Sequence, residues 1–203
     1  MGQVAKTLIK AANALSEPDP QQGLLLLDQA EPKLLPGDPL ISTARLLRVD
    51  CLIWTGELRE AIHRLTYCDR PSAGRLQIRY RFVGARLLHS LGHRKEAERL
   101  FQEVISEDLE GDLFKDALLD LLYLLKVHLA DGEMSKALAV CRRALSEAVL
   151  ADFSHEQLKS VWQQILNAVE TNAIAPNSFA ALKLYFSLHW KHPASQPPAL
   201  QAK

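Results

Sequence analysis

The sequence lacks any apolar run of membrane-spanning length. Its longest, LLLL at 24–27 and ALLDLLYLL at 117–125, fall far below the roughly 20 residues a spanning helix needs. It also lacks a charge excess, with 24 lysines and arginines against 24 aspartates and glutamates, so the basic surplus expected of a nucleic-acid binder is missing. Cysteine is scarce. Cys51, Cys68 and Cys141 are odd in number and widely spaced, with no Cys-x2-Cys pair, which argues against a disulfide framework or a thiolate zinc site. The three tryptophans, Trp54, Trp162 and Trp190, are too scattered for a base-stacking platform. No Gly-x-Ser-x-Gly elbow, phosphate-cradling glycine loop or carboxylate pair in an evident cleft occurs, so we expect no enzyme, no catalytic residue and no cofactor. The first twenty residues have no long apolar centre and no cleavage site, and Lys6 stands where an acylation motif wants serine or threonine. The expected location is the cytoplasm, with no membrane partner.

What remains is helical. Apolar residues recur at helical spacing almost throughout, and no stretch alternates as a strand would. Asp19-Pro20 and Asp38-Pro39 each set a capping carboxylate before a proline suited to a first helical turn, and 154–157 has capping-box spacing. The pattern predicts about ten helices, near 3–15, 20–34, 38–55, 57–69, 72–91, 94–107, 111–130, 133–150, 154–172 and 176–190. They form one domain over 1–192, followed by a frayed, proline-rich tail at 193–203.

One signal repeats inside this pattern. Gly56, Gly92 and Gly132 are each followed five residues later by Ala61, Ala97 and Ala137, and four further on by Leu65, Phe101 and Cys141. A glycine closes one helix in the left-handed conformation, and a small residue early in the next lets the two helices approach. A large residue one turn on fills the space beyond. The copies lie 36 and 40 residues apart, and a weaker one centres on Gly23, 38 residues before Ala61, continued by Leu27 and Ala30. Each unit is an antiparallel hairpin that cannot bury both faces alone, so hairpins must stack.

These Gly-x4-Ala pairs, the large residue after each, the small Ala144, and Gly84-Ala85 in a preceding helix resemble the tetratricopeptide-repeat family. The resemblance is clearest over 38–150 and looser over the flanking pairs 3–36 and 154–190. The family's first-helix tryptophan is replaced by Arg45, Arg81 and Leu121, its tyrosine by Leu52, Leu88 and His128, and its inter-repeat proline is missing. The resemblance implies an all-α, right-handed stack of about five antiparallel helix pairs, an α-solenoid, whose concave face holds a peptide or helix of another protein. Residues 160–193 also resemble the endings of bacterial repeat proteins that accompany transcription regulators.

Candidate contacts follow from charge. Residues 75–99 hold seven basic and two acidic residues, and residues 103–120 hold seven acidic residues and one lysine. Arg79 and Arg86, two turns apart, would form a stripe for an acidic peptide, joined by His89 and by Tyr123 and Lys126 of the next repeat. Register between repeats sets Arg75 near Asp116 and Arg79 near Asp120, so those two arginines are expected to be neutralised. Arg86 and Lys126, without an obvious partner, are the stronger candidates. The seven histidines offer no metal site: Gly92 separates His89 from His93, and Lys159 stands where a His-Glu-x2-His motif at 155 would need its second histidine. Cys68, near Arg70 and a helix end, reads as a packed thiol rather than an activated one. The expected function is a protein-interaction module, an adaptor or regulatory partner. A helical-repeat nucleic-acid binder is the alternative, and a homodimer through an end face such as Trp162–Trp190 is a further expectation.

Overall fold

The computed structural model describes residues 2–16, 19–68, 70–71, 74–150 and 163. Every element among them is helical: α1 (Gln3–Ser16), α2 (Pro20–Ala30), a 3-10 turn (Glu31–Lys33), α3 (Leu40–Thr55), α4 (Leu58–Thr66), α5 (Gly74–Ser90), α6 (Arg94–Glu110), α7 (Phe114–Ala130) and α8 (Met134–Leu150). The helices expected at 154–172 and 176–190, the tail, and the 160–193 resemblance lie outside the described residues. The chain falls into two compact units, 1–112 and 113–203.

The helix ends follow local chemistry. The Asp19 carboxylate accepts the Gln22 N–H at 3.0 Å with Pro20 in the first turn, and Asp38 accepts the Leu40 N–H at 2.8 Å. The single helix expected over 20–34 is broken: α2 stops at Ala30 and a 3-10 turn containing Pro32 takes over. Proline has no N–H to continue the ladder, and its ring crowds the carbonyl four residues back. Arg48 of α3 ties this corner down, donating to Asp28 at 2.7 Å and to Glu31 at 2.9 Å. Helix α4 ends at Thr66, three residues earlier than expected. The Cys68 N–H turns back to Leu65 at 3.3 Å, and Pro71 disfavours helix at the residue before it.

The three glycine hairpins are built alike. Gly56, Gly92 and Gly132 have φ of 79°, 88° and 73°. The glycine N–H donates to the carbonyl three residues back, at 3.2 Å (Ile53), 2.9 Å (His89) and 3.1 Å (Leu129). The next N–H, of Glu57, His93 or Glu133, reaches five back to Leu52, Leu88 or His128, at 2.9, 2.9 and 2.8 Å. That paired closure satisfies carbonyls the helix would otherwise leave open. The same residue then opens the following helix, its carbonyl accepting the N–H of Ala61, Ala97 or Ala137 at 3.0 Å in each case. One residue therefore ends one helix and starts the next, and the alanine's place is fixed by counting from it. All three alanines are buried, at 0, 0 and 1 % exposure. In the third copy the apolar side chain under the turn is replaced by His128, whose Nδ1 lies 2.8 Å from Glu133 Oε2; this hydrogen bond, with Lys136, holds the Glu133 carboxyl below its ordinary range.

The junctions between pairs also hold left-handed residues, which the spacing of the glycine–alanine pairs does not reveal. Gly37 and Gly74 are left-handed, at φ 88° and 74°, and Asp112 takes the conformation at φ 57° after α6. Aspartate is among the few non-glycine residues that tolerate it. Five residues after Asp112 comes Ala117, buried, with its N–H on the Leu113 carbonyl at 3.0 Å. This turn moves the end of α6 from the expected 107 to Glu110 and the start of α7 from 111 to Phe114.

In the first unit α1 packs on α2 and α3, α2 on α3, α3 on α4 and α5, α4 on α5, and α5 on α6. One core gathers Leu8, Ala11, Leu27, Ala30, Ala44 and Cys51; the next gathers Val49, Leu52, Ile53, Ala61, Val83 and Leu87. Gly23 stands in α2 where the alanines stand in later hairpins, its N–H on Asp19 at 3.1 Å, but the fit is tighter. A Cβ there would lie 2.8 Å from Cys51 Sγ and 3.6 Å from the Ala11 carbonyl oxygen. Of the Gly84-Ala85 pair, Ala85 is buried, whereas a Cβ on Gly84 would meet nothing within 4 Å. In the second unit α7 packs on α8, which buries Ala137, Cys141 and Ala144.

Opposite effects are expected from alanine at these two helical glycines. Gly84→Ala raises stability by about 0.5–1 kcal/mol. Gly23→Ala lowers it by about 1–2 kcal/mol, because overpacking against Cys51 exceeds the propensity gain, and adding Cys51→Ala recovers most of the loss. Urea unfolding of the three variants measures all of these, and a stabilised Gly23→Ala would contradict the close approach of α2 to Cys51.

Candidate interaction surface

Helix α5 carries the basic residues that the sequence singles out, and most are already engaged. Arg79 donates to the fully buried Asp108 of α6 at 2.8 Å and lies over the Phe82 ring, 4.9 Å from its centroid. Arg81 binds Glu103 at 2.8 Å and also Glu107. On α6, Arg99 reaches Glu103 at 2.6 Å. The basic and acidic runs therefore meet across the Gly92 turn, inside one hairpin.

Arg86 corrects the expectation that it has no partner. It is buried at 4 % exposure, its guanidinium binds Asp50 of α3, and it lies 5.1 Å from the centroid of the Trp54 ring. Asp50 and Trp54 are one turn apart on α3, so they share a face, and the arginine fills the space between the acid and the indole. Burial pushes the Asp50 carboxyl upward, while the Arg86 charge pulls against that shift. The signal was legible: Asp50 precedes Arg86 by 36 residues, the same interval that separates Gly56 from Gly92. Arg86 is thus part of the packing between α3 and α5, and Arg79 and His89 are both half-buried.

Helix α7 is different. Lys126 is exposed and Tyr123 half-buried, and each is engaged in a further contact, so Lys126, like Arg86, departs from the expectation that it has no partner; the two belong to a stripe. At about 100° per residue, Lys115, Leu119, Tyr123, Lys126 and Ala130 all fall within an arc of about 80°. Outside that arc every residue of α7 is buried except the half-buried Phe114. Leu119, absent from the sequence-based candidates, is 54 % exposed on a helix whose other leucines are all buried.

Nothing else among the described residues forms a chemical centre. No group of three or more His, Cys, Asp or Glu there could hold a metal ion, and no described helix is long and apolar enough to cross a membrane. His93 is exposed, with Glu96 at 4.0 Å, and His155, His189 and His192 lie outside the described residues. All three cysteines are free and buried. Burial pushes the Cys51 thiol up to about 12, with the Asp50 charge adding to the effect, and burial alone does the same for Cys141, so neither supplies a thiolate near neutral pH. No protein-family model matches the chain, and no curated protein or solved structure is significantly similar to it.

Removing Arg86 should damage the fold rather than a surface. Arg86→Ala is expected to lower stability at neutral pH by about 3 kcal/mol, because Asp50 keeps its charge without the guanidinium. Asp50→Leu with Arg86→Met should recover most of that loss. The carboxyl left behind is raised above its unfolded value, which favours its protonated form, so the deficit of Arg86→Ala should shrink as pH falls through the raised value. Thermal unfolding across pH checks both. A loss below 0.5 kcal/mol would return Arg86 to the candidate surface residues.

Proposed function

We propose that the chain is a tetratricopeptide-like helical-repeat module, a right-handed stack of helix pairs that binds a peptide or helix of another protein in the cytoplasm as an adaptor or regulatory partner. The hairpin device supports the repeat reading, since one closure recurs with one alanine position. In the first unit α1, α3 and α5, the leading helices of successive pairs, also touch in order. The binding reading rests chiefly on α7, where Leu119, Tyr123 and Lys126 share a narrow open arc on a helix otherwise enclosed. An exposed leucine and a tyrosine beside a lysine suit recognition of a side-chain-bearing surface, whereas catalysis needs convergent groups in a water-excluding pocket. Arg79, Arg81, Arg86 and Arg99 are bound to carboxylates, which weakens the case for a nucleic-acid backbone as ligand.

Affinity capture from native extract with the wild-type chain and with Tyr123→Ala/Lys126→Glu, quantified by mass spectrometry, tests this. The expected result is at least one protein enriched by the wild type and reduced tenfold or more with the variant, at equal helical content. An identical set of retained proteins would remove α7 as the binding surface.

A further inference from the structure

The junction between α6 and α7 sets two preferences of the chain against each other. Glu110-Gly111-Asp112-Leu113 repeats the order of the three glycine hairpins, where Glu57, His93 or Glu133 follows the glycine and opens the next helix. By that pattern Gly111 is the left-handed residue and Asp112 the opener. The structure instead leaves Gly111 at φ −88°, ψ 10° and puts Asp112 at φ 57°. Three costs attend this register. An L-residue holds the conformation that glycine adopts freely, one position away from a glycine. Leu113 becomes the N-cap of α7 with no side-chain hydrogen bond, although an aspartate, among the best capping residues, stands beside it. The closure is also incomplete. The Asp112 N–H reaches Leu109 at 3.2 Å. Among the described residues, though, the Leu113 and Phe114 N–H groups do not make the bonds that Glu57 and Leu58, His93 and Arg94, or Glu133 and Met134 make in the hairpins.

What favours the observed register is the residue five places on. From Asp112 that is Ala117, 0 % exposed; from Gly111 it is Asp116, whose carboxylate would enter the slot that Ala61, Ala97 and Ala137 fill in the hairpins. Asp116 is buried and engaged where it stands, so moving it also forfeits that contact. Backbone conformation and capping therefore pull toward Gly111, and side-chain packing pulls toward Asp112. We propose that this junction is a two-register switch: the left-handed residue passes between Asp112 and Gly111, and one residue moves from the end of α6 to the start of α7. A step of one residue is about 100° of helix rotation and about 1.5 Å of rise, so the two states are discrete. The junction is also where the chain passes from its first compact unit, 1–112, to its second, 113–203. A partner that binds one register more tightly sets the switch, on whichever helix it docks. The inference therefore stands apart from the reading of α7 as the binding surface.

Backbone NMR of the full 203-residue chain tests this. Relaxation dispersion is expected to show the amides of 111–117 exchanging on the microsecond-to-millisecond scale with a minor state of about 1–10 %. Gly111→Ala/Asp112→Gly disfavours the left-handed turn at the first position and eases it at the second. That variant should quench the exchange and raise the urea midpoint. Asp116→Ala takes the carboxylate out of the contest and should make the minor register the major one. Asp112 then leaves the left-handed region, read as loss of the strong intraresidue HN–Hα contact that a positive φ produces. Any of three results would overturn the switch: a wild-type chain with no dispersion at 111–117, exchange that persists in Gly111→Ala/Asp112→Gly, or an Asp112 that keeps its positive φ in folded Asp116→Ala. Should Asp116→Ala fail to fold, the wild-type exchange and its quenching decide the matter alone.

Discussion

The architecture depends on how a helix is stopped. A helix leaves its last carbonyls without partners, and a neighbour packed antiparallel must begin within two or three residues. In each of the three glycine hairpins both demands are met by one left-handed residue and its successor. The glycine turns the chain, and Glu57, His93 or Glu133 donates backward to the finished helix while accepting from the new one. With the backbone so fixed, the fourth residue of the new helix always arrives at the point of closest approach. The alanines at that point are buried, and in the tightest copy, Gly23, even a methyl group would press on Cys51. Hairpin geometry is therefore set by backbone hydrogen bonds, and the side chains conform to it.

Electrostatics is subordinate to that geometry. Once α5 and α6 fold back about Gly92, Arg79 and Arg81 fall opposite Asp108, Glu103 and Glu107, and the apparent basic patch is spent within the hairpin. Once α3 and α5 lie together, Arg86 is enclosed with Asp50 and Trp54. A guanidinium offers a flat face for an indole and a fork for a carboxylate, so arginine bears such enclosure better than lysine would. The arc of α7 that faces solvent has a lysine toward each end, with Leu119 and the half-buried Tyr123 between.

Much of the fold was legible because its signals are local. Helix periodicity, the Asp-Pro caps and the glycine–alanine interval each involve residues within a few turns of one another, and the eight described α-helices fall where these place them. The departures have identifiable causes: Pro32 ends α2 early, and Asp112 takes the left-handed conformation that glycine takes in the three hairpins. The candidate surface was harder to read because it depends on partners distant in sequence. Arg86 looked unengaged when the repeat interval was carried only forward; carried backward, it reaches Asp50. Leu119 could not be told from the surrounding leucines, because a helix apolar on nearly every side gives no hint of which strip is left bare.

That arrangement on α7 separates two tasks usually entangled in a small protein. Lys115, Leu119 and Lys126 are exposed there, so selection can rewrite them with little disturbance to the scaffold. A descendant could exchange one associate for another by a handful of codon changes, with its folding left largely as inherited.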